Sequence, residues 1–237
     1  SVAKHFPGHG DTAEDSHYTL PAVHHDRARL DSVELLPFKR YIYDGYAGVM
    51  TGHLYVPALD KARNKPVSMS RAVVTDLLQK ELGFRGLCFT DALAMKGATT
   101  RKSDNPSVMA LLAGNDILLA PAAPINDFAA VKEALEEGIL DREEIEAKII
   151  KILQYKYIAG LNDYRPVETK GLSERLNSPH AAWLAAKLNE EAITLLKNEG
   201  DIIPLKQLDK KKIAALSIGD GVGNEFQKML GRYDSGS

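Results

Sequence analysis

SRAVVTDLLQKELGFRGLCFTDALAMKGA, residues 70–98, decides the fold. Its first part, SRAVVTDLLQKEL at 70–82, spaces its apolar residues as a helix does, with Ser70 placed as N-cap and Gly83 as the stop. LCFT at 87–90 then reads as a buried strand closing at Asp91. Working outward, Ser1 to Ala3 read as the end of a strand, and AGVM at 47–50 and DILLA at 116–120 as two more. Between them, residues 30–43 have helical spacing at Leu30, Val33, Leu36 and Tyr43, with Pro37 expected to kink or shift that helix. Further helices are expected at 107–113, near 126–137 and at 142–158. Strands that are apolar throughout, separated by helices, predict an α/β fold with a parallel sheet covered by helices. Each chemical cluster follows a strand: KHFPGHGD, TGH, TDALAMK and the Pro-rich APAAP. A (β/α) barrel builds its site from such strand ends, around a ring, whereas a doubly wound sheet gathers ligands at one crevice. Only four strands precede the change of pattern, so half of an eight-stranded barrel is expected to be missing, or the fold is another.

Residues 161–179 turn irregular and read as a linker. Residues 180–197 then have the pattern of an amphipathic helix, and KIAALSIGDG at 212–221 that of a strand entering a Gly-rich turn. GDGVG lacks the Lys-Ser/Thr of a phosphate loop and the spacing of a dinucleotide fingerprint, so a tight turn is the expectation. The chain opens without an initiator methionine or a signal-peptide pattern and reads as though entered within a longer protein.

Thirty basic against 32 acidic residues give a formal charge of −2, which offers no electrostatic grip on nucleic acid. Lys210-Lys211-Lys212 is the one compact basic cluster and reads as a solvated turn edge. No apolar stretch approaches the length of a membrane span. The single cysteine, Cys88, lies in an apolar run and reads as a buried structural thiol. It leaves the compartment undecided between cytoplasm and export, with export slightly favoured by a second domain.

Five of seven histidines, His5, His9, His17, His24 and His25, fall within the first 25 residues, beside Asp11, Glu14 and Asp15. One chemistry for this segment is metal binding: His5, His9, Asp11 and His17 as zinc ligands of a metal-dependent hydrolase. Pro7-Gly8 opposes it by preventing a helix that would align His5 and His9. The other is proton transfer, with the Asp15 carboxylate fixing the tautomer of His17 two residues on. Asp91, a carboxylate at the end of a buried strand, needs partners or a solvent-filled site; it reads equally as a reactive carboxylate or as an N-cap for the segment from Leu93.

Taken together, KHFPGHGDTAEDSHYTLP closely resembles the signature stretch of family 3 glycoside hydrolases of the β-N-acetylglucosaminidase type. VMTGHLYVPALD with PVSMS, LGFRGLCFTDALAMKGA, AGNDILLAP and EEAITLLKNEGDIIPL are similar to successive stretches of the same family. The resemblance implies the C-terminal half of a TIM-type (β/α)8 barrel over residues 1–160, a linker at 161–179, and the start of an α/β sandwich domain at 180–237. It implies a retaining exo-acting enzyme that removes β-linked N-acetylglucosamine from peptidoglycan- or chitin-derived saccharides. In it Asp91 is the nucleophile, His17 the proton shuttle and Asp15 its partner. Lys4 and His5 would bind sugar hydroxyls, His53 and Met95 would line or support the pocket, and Phe6-Pro7 could be cis. Neither cofactor nor metal is implied. The family's sugar-binding aspartate and arginine belong to the first half of the barrel, so this chain alone is expected to be inactive. A family 3 β-glucosidase, a phosphorylase with the same dyad and a non-catalytic carbohydrate-binding remnant are the other readings.

Overall fold

The structure, a computed structural model, describes residues 1–63, 65–98, 104–219, 221 and 223–233. The chain divides into two compact units, Ser1–Arg165 and Pro166–Ser237.

The first unit is an α/β structure on one parallel sheet. Its strands are β1 (Val2–Phe6), β2 (Gly48–Thr51), β3 (Leu87–Ala92) and β4 (Ile117–Leu119), in the order β1-β2-β3-β4. The register pairs Phe6 with Thr51, Thr51 with Thr90, and Ala92 with Leu119, so the segments after the strands emerge at one end of the sheet. Helical segments follow each strand: α1 (Arg27–Arg29), running into a wider turn at Leu30–Glu34, and α2 (Leu36–Tyr43) after β1; a π-helical segment, Ala72–Glu81, after β2; α3 (Pro106–Ala113) after β3; α4 (Pro124–Glu136) and α5 (Arg142–Ile158) after β4. This consecutive parallel order is that of a partial (β/α) barrel.

Strand alternation assigns the two faces different tasks. Phe6, Val49 and Cys88 turn to the helices, joining Leu35, Phe38, Val73 and Leu78 in a continuous buried core. Val2, Met50 and Phe89 turn the other way and stay partly exposed. Asp91, two residues beyond Phe89, emerges on that open face. Gly48 permits the two outer neighbours to close over it, because a Cβ there would stand 2.8 Å from Val2 Cγ2 and 3.1 Å from Phe89 Cε2. Buried Asn115 locks the layers together: its amide donates to the Ser68 and Ala110 carbonyls at 2.7 and 2.8 Å and its oxygen accepts from Thr51 Oγ1 at 2.9 Å.

Pro37 shifts the helix, as expected: the turn Leu30–Glu34 ends before Leu35 and α2 begins at Leu36 with the proline in its first turn, where its missing N–H costs nothing. Three other local expectations are corrected. Ser70 is not a side-chain cap, because its hydroxyl donates to Asp60 Oδ2 at 2.5 Å. In the second unit, residues 211–217 form no strand; Leu216 and Ile218 are each 88% exposed, and no strand of this unit is found among the described residues for them to pair with. That unit holds α6 (Leu172–Leu176), α7 (Pro179–Ala192) and α8 (Glu225–Leu230). α7 stops five residues short of the expected 197, where Ile193 turns extended (φ −65°, ψ 120°) ahead of β-branched Thr194. In the GDGVG turn, Gly219 and Gly223 have φ of +85° and +81°, while Asp220 and Val222 lie outside the described residues. Among the described residues, no helix is long and apolar enough to cross a membrane.

Candidate active site

The segment leaving β1 folds into a loop built from its own polar residues. Lys4–His5 and Phe6–Pro7 are both cis peptides, the second as the sequence suggested. Gly8 follows at φ +142°, against Glu34, where a Cβ would stand 2.8 Å from Glu34 Cβ. Farther on, the Asp15 carbonyl accepts from the Tyr18 and Thr19 amides at 3.0 and 3.1 Å, closing a tight turn.

Within that turn one oxygen of Asp15 serves His17 twice. Asp15 Oδ1 accepts from the His17 amide at 2.9 Å and meets His17 Nδ1 at 2.7 Å. A carboxylate can only accept, so Nδ1 carries the proton and Nε2 of the exposed ring keeps a lone pair for proton exchange. The two hydrogen bonds from His17 hold the Asp15 carboxyl below its ordinary pKa, the amide bond contributing most.

Ser16, between them, is buried and anchors the loop. Its hydroxyl meets His9 Nε2 at 3.1 Å, and His9 Nδ1 in turn meets Thr12 Oγ1 at 2.8 Å. Both ring nitrogens of His9 are therefore bonded to hydroxyls, which removes it from a His5/His9/His17 ligand shell. The described residues whose metal-binding atoms do converge are Asp11, His25 and Glu34.

The loop rests on the segment following Asp91. The Gly97 amide donates to the Ser16 carbonyl at 3.2 Å and the Lys96 amide to that of His17 at 3.4 Å. Only glycine fits at 97: a Cβ would lie 2.8 Å from the Ser16 and Thr19 carbonyl oxygens and 3.1 Å from His53 Cβ. Asp91 itself is nearly buried; its Oδ1 accepts from the Ala92 amide at 2.8 Å and its Oδ2 lies 3.4 Å from His5 Nε2. Burial lowers the His5 pKa, with the Asp91 charge opposing and the charges of Lys4, His9 and His17 adding to the effect. His5 thus feels the fields of both Asp91 and His17.

His53, fully buried after β2, meets Ser68 Oγ at 2.8 Å and donates from Nε2 to the Ala92 carbonyl, adjoining Asp91, at 3.1 Å. Met95 is half-buried in the turn after β3, and Lys4 is exposed on β1. Lys4 and His5, with His9, also line a cavity of about 710 Å³ between β1 and the helical segments that follow it. Asp91, His17, Asp15, His53 and Met95 are not among the residues lining it. Ser16, Ser68 and Gly97 are contributors that the sequence reading did not single out. Ser16 had a visible signal, lying inside D-S-H; Gly97 and Ser68 had none.

Burial also lowers the pKa of His53. Below the unfolded value of about 6.5 the unfolded chain binds a proton that the folded site refuses, so this contribution is complete above pH 6.5 and is lost as pH falls. The loss approaches about 1.4 kcal/mol per pH unit for a fully excluded proton. His5 acts in the same direction. Urea midpoints at pH 7.5 and 5.5 are expected to differ less in His53→Gln than in the unmodified chain; an equal difference would remove His53 from the account.

Residues 1–155 match the model of the glycosyl hydrolase family 3 N-terminal domain. β-Hexosaminidase A of Pseudoalteromonas piscicida is 34% identical over 243 aligned residues, covering 93% of this chain and 39% of the relative. Among solved structures, a family 3 β-N-acetylglucosaminidase from Paenibacillus sp. str. FPU-7 superposes with a TM-score of 0.74 at 34% identity, covering 84% of this chain and 38% of that one. The β-glucoside phosphorylase BglX superposes at 0.75 with 25% identity, covering 86% and 39%. The chain thus spans about two fifths of the length of these relatives. Since the domain model accounts for well over half of its residues, the chain belongs to glycosyl hydrolase family 3.

Proposed function

We propose that this chain carries the reactive groups of a retaining exo-β-N-acetylglucosaminidase acting on peptidoglycan- or chitin-derived saccharides. The observation that carries the reading is the docking of the Asp15–His17 turn, through the Lys96 and Gly97 amides, onto the segment that follows Asp91. Asp91 attacks the anomeric carbon and displaces the aglycone oxygen, which takes the proton from His17. His17, then neutral at Nε2, removes a proton from water as the water displaces Asp91 from the same carbon. Two inversions leave the configuration retained. Asp15 holds the imidazole in the tautomer that exposes Nε2 and stabilises its charged form. Lys4 and His5 are assigned to sugar hydroxyls. His53 holds the Ala92 carbonyl beside the nucleophile, and Met95, in the turn that follows, is assigned to lining or supporting the sugar site.

The remaining part of this proposal concerns the barrel. The open face that bears Asp91, and the edges of β1 and β4 that pair with no other described strand, are what a preceding half-barrel would cover. The sugar-binding partners would come from that half, and residues 180–237 would begin a second domain.

A 5-fluoro-N-acetylglucosaminyl fluoride is expected to label the full-length protein at Asp91, read by peptide mass mapping. A label on another carboxylate would overturn the assignment; no label at all, with hydrolysis intact, would favour the substrate's acetamido group as nucleophile. The phosphorylase neighbour motivates one further measurement. Products formed with and without inorganic phosphate separate N-acetylglucosamine from its 1-phosphate.

A further inference from the structure

We propose that Asp11, His25 and Glu34 form a site for a divalent metal of the zinc class, distinct from the Asp91–His17 constellation. Their ligand atoms lie within 4.8 Å of one another. Zinc takes oxygen and nitrogen ligands at about 2.0–2.2 Å, so tetrahedral donors stand roughly 3.5 Å apart, and the cluster needs only modest side-chain rotation to close on an ion.

Glu34 is the strongest pointer. Its side chain is 7% exposed, and its two oxygens differ sharply. Oε1 is served by Arg29, with Nε at 3.3 Å and Nη2 at 3.2 Å. Oε2 is buried with no hydrogen-bond partner. A carboxylate oxygen withdrawn from water without a donor is costly, and a cation remedies it. Arg29 also approaches Asp11 Oδ2, at 3.9 Å, but leaves Glu34 Oε2 unserved. Two carboxylates against one guanidinium leave the cluster a net negative charge for the ion to meet.

The other two residues supply what Glu34 lacks. His25 Nε2 and Asp11 Oδ2 are 2.6 Å apart, so imidazole and carboxylate already face each other. In that contact Nε2 carries the proton, since a carboxylate only accepts; on binding, the ion displaces this proton to solvent or to Nδ1, takes the freed Nε2 lone pair, and the carboxylate turns from the ring to the metal. Asp11 is exposed, which provides an entry path and a place for a water as fourth ligand. One imidazole among two carboxylates suits zinc better than magnesium, which prefers oxygen and keeps its own waters.

An ion here would fasten the Gly8–Asp11 strip to the turn Leu30–Glu34. Gly8 already presses against Glu34, and Asp11 stands six residues before His17. The site would therefore steady the root of the loop that bears His17 without touching its ring.

The chain, stripped with a chelator and desalted, is titrated with zinc chloride in competition with a chromophoric zinc chelator, and its Tm is recorded with and without the metal. One equivalent is expected to bind tighter than about 10 μM, with a rise in Tm, and magnesium at the same concentration is expected to produce neither. His25→Ala and Asp11→Asn are each expected to weaken binding at least about tenfold. His9→Ala is expected to leave it unchanged. Circular dichroism of the metal-free variants confirms that they remain folded, and Glu34→Gln is the second variant if either fails. Absence of binding in this range overturns the proposal, as does binding that survives both His25→Ala and Asp11→Asn or is abolished by His9→Ala.

Discussion

Asp91→Asn is expected to lower kcat/KM for a 4-nitrophenyl N-acetyl-β-glucosaminide by on the order of 10³- to 10⁵-fold in the full-length protein. Asparagine preserves shape: its carbonyl oxygen can still accept from the Ala92 amide, as Asp91 Oδ1 does at 2.8 Å. What it loses is the charge, and with it a nucleophile able to form a glycosyl ester. At 1.36 kcal/mol per decade, the expected loss is about 4–7 kcal/mol of transition-state stabilisation. Because the substitution is nearly isosteric, KM and Tm should move little, so the loss is expected to fall in kcat. The fluorosugar should no longer label this position. Activity within tenfold of the unmodified enzyme would exclude Asp91 as nucleophile and restore its reading as a simple cap.

His17→Ala should produce a different pattern, which makes the pair of variants more informative than either one. Loss of a general acid–base typically costs about 10²- to 10⁴-fold. The first step needs protonation of the departing oxygen only when that oxygen is a poor leaving group. With a 4-nitrophenyl aglycone it should survive, while attack by water on the glycosyl ester slows for want of a base. Stopped-flow records should then show a burst of nitrophenolate followed by a slow steady state, and added azide should accelerate the steady state by yielding a glycosyl azide. An alkyl aglycone should show the full loss without a burst. Equal losses for both leaving groups would argue that His17 positions the loop rather than moves a proton. The ring is exposed and makes its hydrogen bond through Nδ1 to Asp15, so its removal should leave the fold intact.

Much of the fold was legible because burial leaves a simple mark on sequence. LCFT and DILLA are runs of mainly apolar residues without polar alternation, and they became β3 and β4, although only β3 is buried along most of its length; Leu119 of β4 is 39% exposed. α5 covers the stretch expected at 142–158, and the structure adds its cap, Asp141, whose side chain accepts from the Glu144 amide. The second unit defeated the same reasoning. KIAALSIGDG has strand composition, yet composition supplies no pairing strand, and among the described residues the segment is met instead by side chains of α8 and its N-cap, Gln227 donating to the Ala215 carbonyl and Asn224 to Ser217 Oγ. Side-chain competition was equally hidden: Ser70 has the right identity and position for a cap, but Asp60 takes its hydroxyl.

At the site, D-S-H displayed its chemistry openly, since an Asp two residues before a His can close a ring with it. The supporting contacts did not show. Gly97 meets Ser16 and Thr19 across about eighty residues of chain, and His53 meets Ser68 and Ala92 on two different segments. Asp11, His25 and Glu34 have no spacing that any local pattern would flag; the turn at Leu30–Glu34 is what brings the third to the other two.

Cys88 lies on β3, the strand that also bears Asp91, fully enclosed beside the Gln79 amide at 3.4 Å. Enclosure pushes its thiol up to about 11, so near neutral pH only about one molecule in ten thousand carries the thiolate that alkylating reagents attack. As the chain's sole sulfhydryl, it turns a colorimetric thiol assay into a clock for the opening of that strand, one that needs no engineered tag and keeps time whether or not a sugar is being turned over.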